Sequence, residues 1–150
     1  MRYRYPAVVT REGRQVLAEF PSCPGCQTFA APGQRIEEQA GEALESWLGA
    51  HLVTGEAPPR PPRHAPAGKV IWVGVPARLA AKLDLRWARH AAGLTQAQLA
   101  ARAKVSQQAI AKLEHPDSNP TLETLEKVAR ALGARLEVRV TLVRSAETAN

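Results

Sequence analysis

Residues 95–114, TQAQLAARAKVSQQAIAKLE, constrain the fold more than any other stretch of this chain. They hold two amphipathic runs too short to persist alone, since isolated helices below about 12–15 residues are marginal in water. Each must pack on the other. Thr95 is placed to cap the first helix by accepting from a first-turn amide. Leu99, Ala100 and Ala103 then recur at helical spacing and are small enough for a second helix to cross closely. After a turn at Lys104-Val105, Ser106 caps a second helix, Gln107 to Glu114, with Ile110 and Leu113 on its buried face. Its outer face carries Gln107, Gln108, Ala111 and Lys112, the amides and ammonium needed to read base edges and hold phosphates. The pattern predicts a helix-turn-helix that enters a DNA groove; a plain helical hairpin would share the seam without needing that outer face.

Charge segregates with this motif. Residues 1–68 hold seven Lys/Arg against seven Glu, whereas residues 69–150 hold thirteen Lys/Arg against seven Asp/Glu and so carry the entire +6. A basic half joined to a neutral half predicts a nucleic-acid-binding domain attached to one with another task. No apolar run approaches the roughly 18–20 residues of a membrane span, and the start MRYRYPAVV lacks a signal-peptide layout, so a cytoplasmic protein is expected.

The chain divides near residue 56. EAPPRPPRHAPAG, residues 56–68, contains five prolines and no apolar periodicity, which predicts an extended, stiff connector. Ahead of it, Tyr3, Tyr5, Ala7 and Val9 alternate as a strand, Arg11-Glu12-Gly13-Arg14 turns, and Val16, Ala18 and Phe20 alternate again. Cys26 to Ala30 reads as a third strand, ended by Pro32-Gly33. From Gln34 to about Leu52, the residues Ile36, Ala40, Ala43, Leu44, Trp47 and Leu48 mark one helical face. KVIWVGV, residues 69–75, is suited to add a fourth strand. The expected fold class is α+β. A β-β-β-α-β domain spans residues 1–75, and an all-helical helix-turn-helix domain with a terminal strand spans residues 76–150.

The first domain has little catalytic equipment. It contains no aspartate, the first in the chain being Asp84, and Glu19 is its only acid on a strand. Metal-assisted hydrolysis needs several converging carboxylates, and no Ser/His/Asp grouping or glycine-rich phosphate loop appears. Cys23 and Cys26 form a CxxC in a Pro/Gly turn rather than at a helix start, and the four histidines are scattered singly. A structural zinc needs about four ligands, so structural packing of both thiols is expected, with no metal and no cofactor. Tyr3, Tyr5, Phe29 and Trp47 are candidates for a partner surface or for the core.

Residues 18–62 resemble the N-terminal domain of HicB-type antitoxins. The matching features are Phe20-Pro21, Pro24-Gly25-Cys26, Glu37-Glu38-Gln39-Ala40, Gly55 and the prolines from Pro58 onward. VGVPARLAAKL and the helix-turn-helix behind it resemble the Xre-like C-terminal domain that one HicB branch carries, so the likeness runs to about Val143. It implies a partial ribonuclease H-like domain without catalytic acids that covers a HicA-type mRNA-cleaving toxin, joined to a domain that represses the shared operon as a dimer. Cys23 departs from the aliphatic residue common in the family, and Lys104 stands where Gly is frequent.

Similarity to phage repressors sets Gln107, Gln108 and Lys112 against bases or the adjacent backbone, Ala109 against a thymine methyl, Ser106 as both cap and phosphate contact, and Gln96 as the phosphate anchor. Downstream, Thr121 caps a last helix through Leu132, with Leu122, Leu125, Val128, Ala129 and Leu132 as its buried face and Gly133 as its stop. RLEVRVTLV then alternates as a strand that pairs either with its copy in a second chain or with KVIWVGV. Two readings compete with a non-enzymatic antitoxin and repressor. One is a single-function regulator whose first domain oligomerises or senses a ligand; the other is a nuclease dependent on Glu19.

Overall fold

The computed structural model describes residues 2–143. The first hairpin joins β1 (Arg4–Glu12) to β2 (Gln15–Glu19) through Gly13-Arg14. Gly13 has φ 60°, the positive value that a two-residue type II′ loop requires at its first central position. Antiparallel β3 (Gln27–Ala30) pairs with β2, and β4 (Val70–Gly74) pairs with β1, giving the order β3-β2-β1-β4. The register sets Tyr5 opposite Val73 and Ala18 opposite Thr28, so one sheet face is apolar and buried.

Helix α1 (Ile36–Thr54) covers that face with Ala40, Leu44, Leu48 and Leu52, spaced every four residues. Glu37 and Glu38 lie in its first turn, and Gly55 at φ 85° ends it. Cys23 and Cys26 are free thiols inside the same core. Burial pushes Cys23 up to about 11 and Cys26 up to about 12, so both stay protonated and unreactive at neutral pH.

The proline-rich residues 56–68 hold no helix or strand and bend at Arg63-His64 and again at Ala67-Gly68, and side chains hold the segment in place. Trp87 Nε1 donates to the Pro58 carbonyl (2.6 Å), and Tyr5 Oη donates to that of Pro59 (2.7 Å). The Arg60 guanidinium stacks over the Trp87 ring at 4.8 Å.

Helix α2 (Ala77–Ala91) faces two ways. Leu79, Ala80, Leu83 and Trp87 complete the first core, while Leu85 enters a second core with Leu99, Ala103, Ile110, Leu113, Leu125 and Val128. That second core is built by α3 (Gln96–Ala103), α4 (Gln107–Glu114) and α5 (Leu122–Ala131). Thr121 caps α5 by accepting from the Thr124 amide, and Gly133 at φ 70° follows its end.

Two expectations need correction. Leu122 is 59% exposed and does not belong to the buried face of α5, because as the first residue of the helix it projects beyond the α3–α5 seam. Residues 135–143 form no strand within the chain. The neighbouring core is entirely helical and offers no edge, and β4, the last strand of the sheet, pairs with β1 alone among the described residues, so the tail and residues 69–75 do not pair within the chain. No helix among the described residues is long and apolar enough to cross a membrane.

Trp87→Phe keeps the ring but leaves the Pro58 carbonyl without its donor. A loss of about 1–3 kcal/mol is expected in denaturant unfolding, with the segment at residues 57–60 becoming sensitive to proteolysis.

Candidate nucleic-acid interface

Local chemistry fixes both helices of the motif. Thr95 Oγ1 accepts from the Gln98 amide (3.1 Å) while Gln98 Oε1 accepts from the Thr95 amide (2.9 Å), a reciprocal capping box at the start of α3. At its end the Lys104 amide donates to the Ala101 carbonyl and the Val105 amide to that of Ala100. These two bonds make a Schellman turn, and Val105 folds against the core that holds Ala100. The turn places Lys104 at φ 56°, ψ 44°, and among the described residues Lys104 is the sole non-glycine with positive φ. That conformation costs a residue with a Cβ about 1 kcal/mol or more. The Ser106 hydroxyl then accepts from the Ala109 amide (3.1 Å) and starts α4.

Leu99, Ala100, Ala103, Ile110 and Leu113 close the seam between the two helices. Gln107, Gln108, Ala109, Ala111 and Lys112 are all exposed on α4, and Ser106 is exposed at its cap. Gln96 is half-buried, because its Nε2 donates to Glu114 Oε2 (3.2 Å). The side chain expected to anchor a phosphate is therefore turned inward. What it leaves at the surface is the first turn of α3, where the Thr95 cap takes the Gln98 amide and the Gln96 and Ala97 amides, which have no intrahelical acceptor, suit an anion.

Beneath this surface lies a polar network that the sequence did not announce. Glu114, the last residue of α4, is fully buried with Arg86, and Arg89 is nearly so. Arg86 Nε donates to Glu114 Oε2 (2.6 Å), and Arg89 Nε and Nη2 donate to Oε1 and Oε2 (2.7 and 3.0 Å). Arg86 also donates to the carbonyls of Glu56 (2.6 Å) and Leu52 (2.8 Å), reaching the C-terminal end of α1. Lys82 Nζ donates to the Pro116 and Ser118 carbonyls, both at 2.6 Å, and fixes the loop after α4. No buried side-chain polar atom lacks a partner among the described residues. Burial pushes the Glu114 carboxyl up, but hydrogen bonds from Arg89 and the charges of Arg86 and Arg89 outweigh it and hold the group below its usual value.

The same network decides what borders the reading face. Val53, Thr54 and Gly55, from the last turn of α1 and its cap, share a groove with Gln96, Gln107, Ala111 and His115. The α1 end thus forms a wall beside the exposed glutamine. Sequence spacing alone carries no signal for this approach, since about forty residues separate the two sides.

A family model for helix-turn-helix proteins matches residues 85–138. The C-terminal part of this chain is a helix-turn-helix domain. Its matched span starts within α2, includes the capped α3–α4 pair and α5, and ends in the tail. The match supports a DNA-binding transcription regulator. No curated protein matches the chain.

Glu114→Gln leaves two buried guanidinium groups without their counter-charge, and a loss of about 3–5 kcal/mol is expected. Because the folded carboxyl titrates below its usual 4.5, its contribution is complete above that value and declines as pH falls through the lower folded value. Urea unfolding across pH 3 to 7 checks both points; the acid-side loss should be shallower in Glu114→Gln than in the unaltered chain.

Proposed function

We propose that this protein is a HicB-type antitoxin that binds and neutralises a HicA-type mRNA-cleaving toxin and represses its own operon as a dimer through the helix-turn-helix. On this reading it is not an enzyme and works in the cytoplasm. The observation that carries the proposal is the combination of a small sheet-and-helix unit that has no aspartate with a helix-turn-helix domain behind it. Residues 18–62 add the Phe-Pro, Pro-Gly-Cys and Glu-Glu-x-Ala features of the resemblance.

The outer face of the sheet supports a protein partner. Leu17 lies opposite Phe29, and Pro6 lies opposite Trp72. Phe29 and Trp72 are 44% and 37% exposed on this face, which no helix covers, whereas Tyr5 is buried and Tyr3 and Trp47 are half-buried. Exposed aromatic residues on one uncovered face mark a docking surface better than scattered ones.

Gln107, Gln108 and Ala109 are assigned to base edges, Lys112 to the backbone or bases, and Ser106 with the α3 start at Gln96 to phosphates. Gln107→Ala should cost about 1–3 kcal/mol on operator DNA and little on unrelated DNA. Lys112→Ala should weaken both and lower the salt slope by about one. Titrations on operator and scrambled duplexes at several salt concentrations separate these outcomes, and equal effects of the two changes would remove the assignment.

Co-expression with the product of the adjacent small open reading frame tests the antitoxin role. Growth rescue and a complex that survives purification are expected, with both reduced by Phe29→Asp. No rescue and no complex would leave a single-function DNA-binding regulator.

A further inference from the structure

The tail leaves the most apolar surface open. Among the described residues, no backbone hydrogen bond involves residues 135–143, and Val138, Val140 and Leu142 are 64%, 91% and 92% exposed. The segment has no helix, strand or turn, and its residue types alternate. Ala134, Leu136, Val138, Val140 and Leu142 fall on one side, and Arg135, Glu137, Arg139 and Thr141 fall on the other. Leu136 is already seated on the second core. The apolar side therefore continues an interior rather than projecting at random.

We propose that residues 134–142 pair antiparallel with the same residues of a second copy of this chain, in a register with its two-fold axis at Val138. The proposal rests on the dimeric-repressor reading above and specifies the surface that makes the dimer. An isolated row of unpaired amides and carbonyls beside alternating valines is a template for another strand. Charge then favours this register over its immediate neighbours. With the axis at Val138, Glu137 faces Arg139 of the second copy, Leu136 faces Val140, Ala134 faces Leu142, and every facing pair lies on a common side.

The neighbouring registers fail on charge. An axis at Arg139 sets two guanidinium groups face to face. An axis at Glu137 opposes two carboxylates and also brings Arg135 against Arg139. Opposed like charges destabilise a ladder, whereas opposite charges support it. A slip that puts even residues opposite odd ones drives charged groups into the apolar side. Glu137 is bonded to Arg135 within the chain at 3.2 Å, both side chains being exposed, so it can exchange that partner for the facing arginine at little cost. Two strands alone are marginal, but here Leu136 of each copy rests on its own helix-turn-helix core and gives the ribbon a layer to pack on.

The test uses the full chain in sedimentation equilibrium. Glu137→Arg and Arg139→Glu should each raise the dimer dissociation constant by about ten-fold or more, and the double exchange should restore it. Both side chains are exposed, so the fold is not at stake. Independently, Val138→Cys should form a disulfide-linked dimer under a mild thiol oxidant, since facing Cα atoms about 4.5–5.5 Å apart lie within disulfide range. Cys23 and Cys26 are buried and supply little background. A dimer that ignores both charge changes and does not cross-link at position 138 would overturn this pairing while leaving the dimeric reading intact; docking of the tail on the free edge of β4 in another copy would give that result. A chain that stays monomeric throughout would overturn both.

Discussion

The buried carboxylate of Glu114 is what the rest of the molecule is arranged around. It terminates the recognition helix, yet its charge is balanced by two arginines from α2, and one of those arginines also holds the last carbonyls of α1. Three helices from both halves of the chain thus meet at one ion cluster. Burying such charges carries a desolvation cost of several kcal/mol per ion, which only complete pairing offsets. Every guanidinium contact is therefore geometrically demanding, and the cluster tolerates few alternative positions of α4 against α1.

This arrangement changes the meaning of the proline-rich stretch. Its composition suits a spacer, but donors from Trp87, Tyr5 and Arg86 bind its carbonyls, and its far end delivers β4 to the sheet. Proline lacks an amide yet keeps its carbonyl, so an extended proline run presents acceptors that side-chain donors can secure. Helix α2 then serves both cores. The first unit is held as a fixed neighbour of the reading face, with Val53 to Gly55 along one wall. Any partner that shifts α1 acts on the recognition helix through Arg86 rather than through a loose tether.

Much of this was legible in the residues. Periodicity of two gave β1 and β2, and Gly13 marked their turn. The Ile36 to Leu48 stripe gave α1, and Thr95, Ser106 and Thr121 stood as caps because short hydroxyl side chains satisfy first-turn amides. The exposed set Gln107, Gln108, Ala109 and Lys112 lies where helical spacing put it. What stayed hidden depends on long-range pairing. Arg86, Arg89 and Lys82 carry no local sign of burial, and nothing nearby in the sequence distinguishes them from Arg78, which is exposed beside Glu45. Gln96 read as a free amide because its acceptor lies eighteen residues downstream. The tail has the alternation of a strand, but a ladder also needs an edge, and no single-chain pattern says where that edge lies.

The central claim is that the recognition helix and the first core form one cooperative body through the Glu114 cluster. Native-state hydrogen exchange in rising denaturant tests it most directly, by following the slowest amides of α1 around Leu44 and Leu48 and those of α4 around Ile110 and Leu113. The account predicts that both sets open with the same free energy and the same denaturant dependence, merging into global unfolding. Opening of the α4 amides at distinctly lower free energy, with the α1 amides still protected, would contradict it.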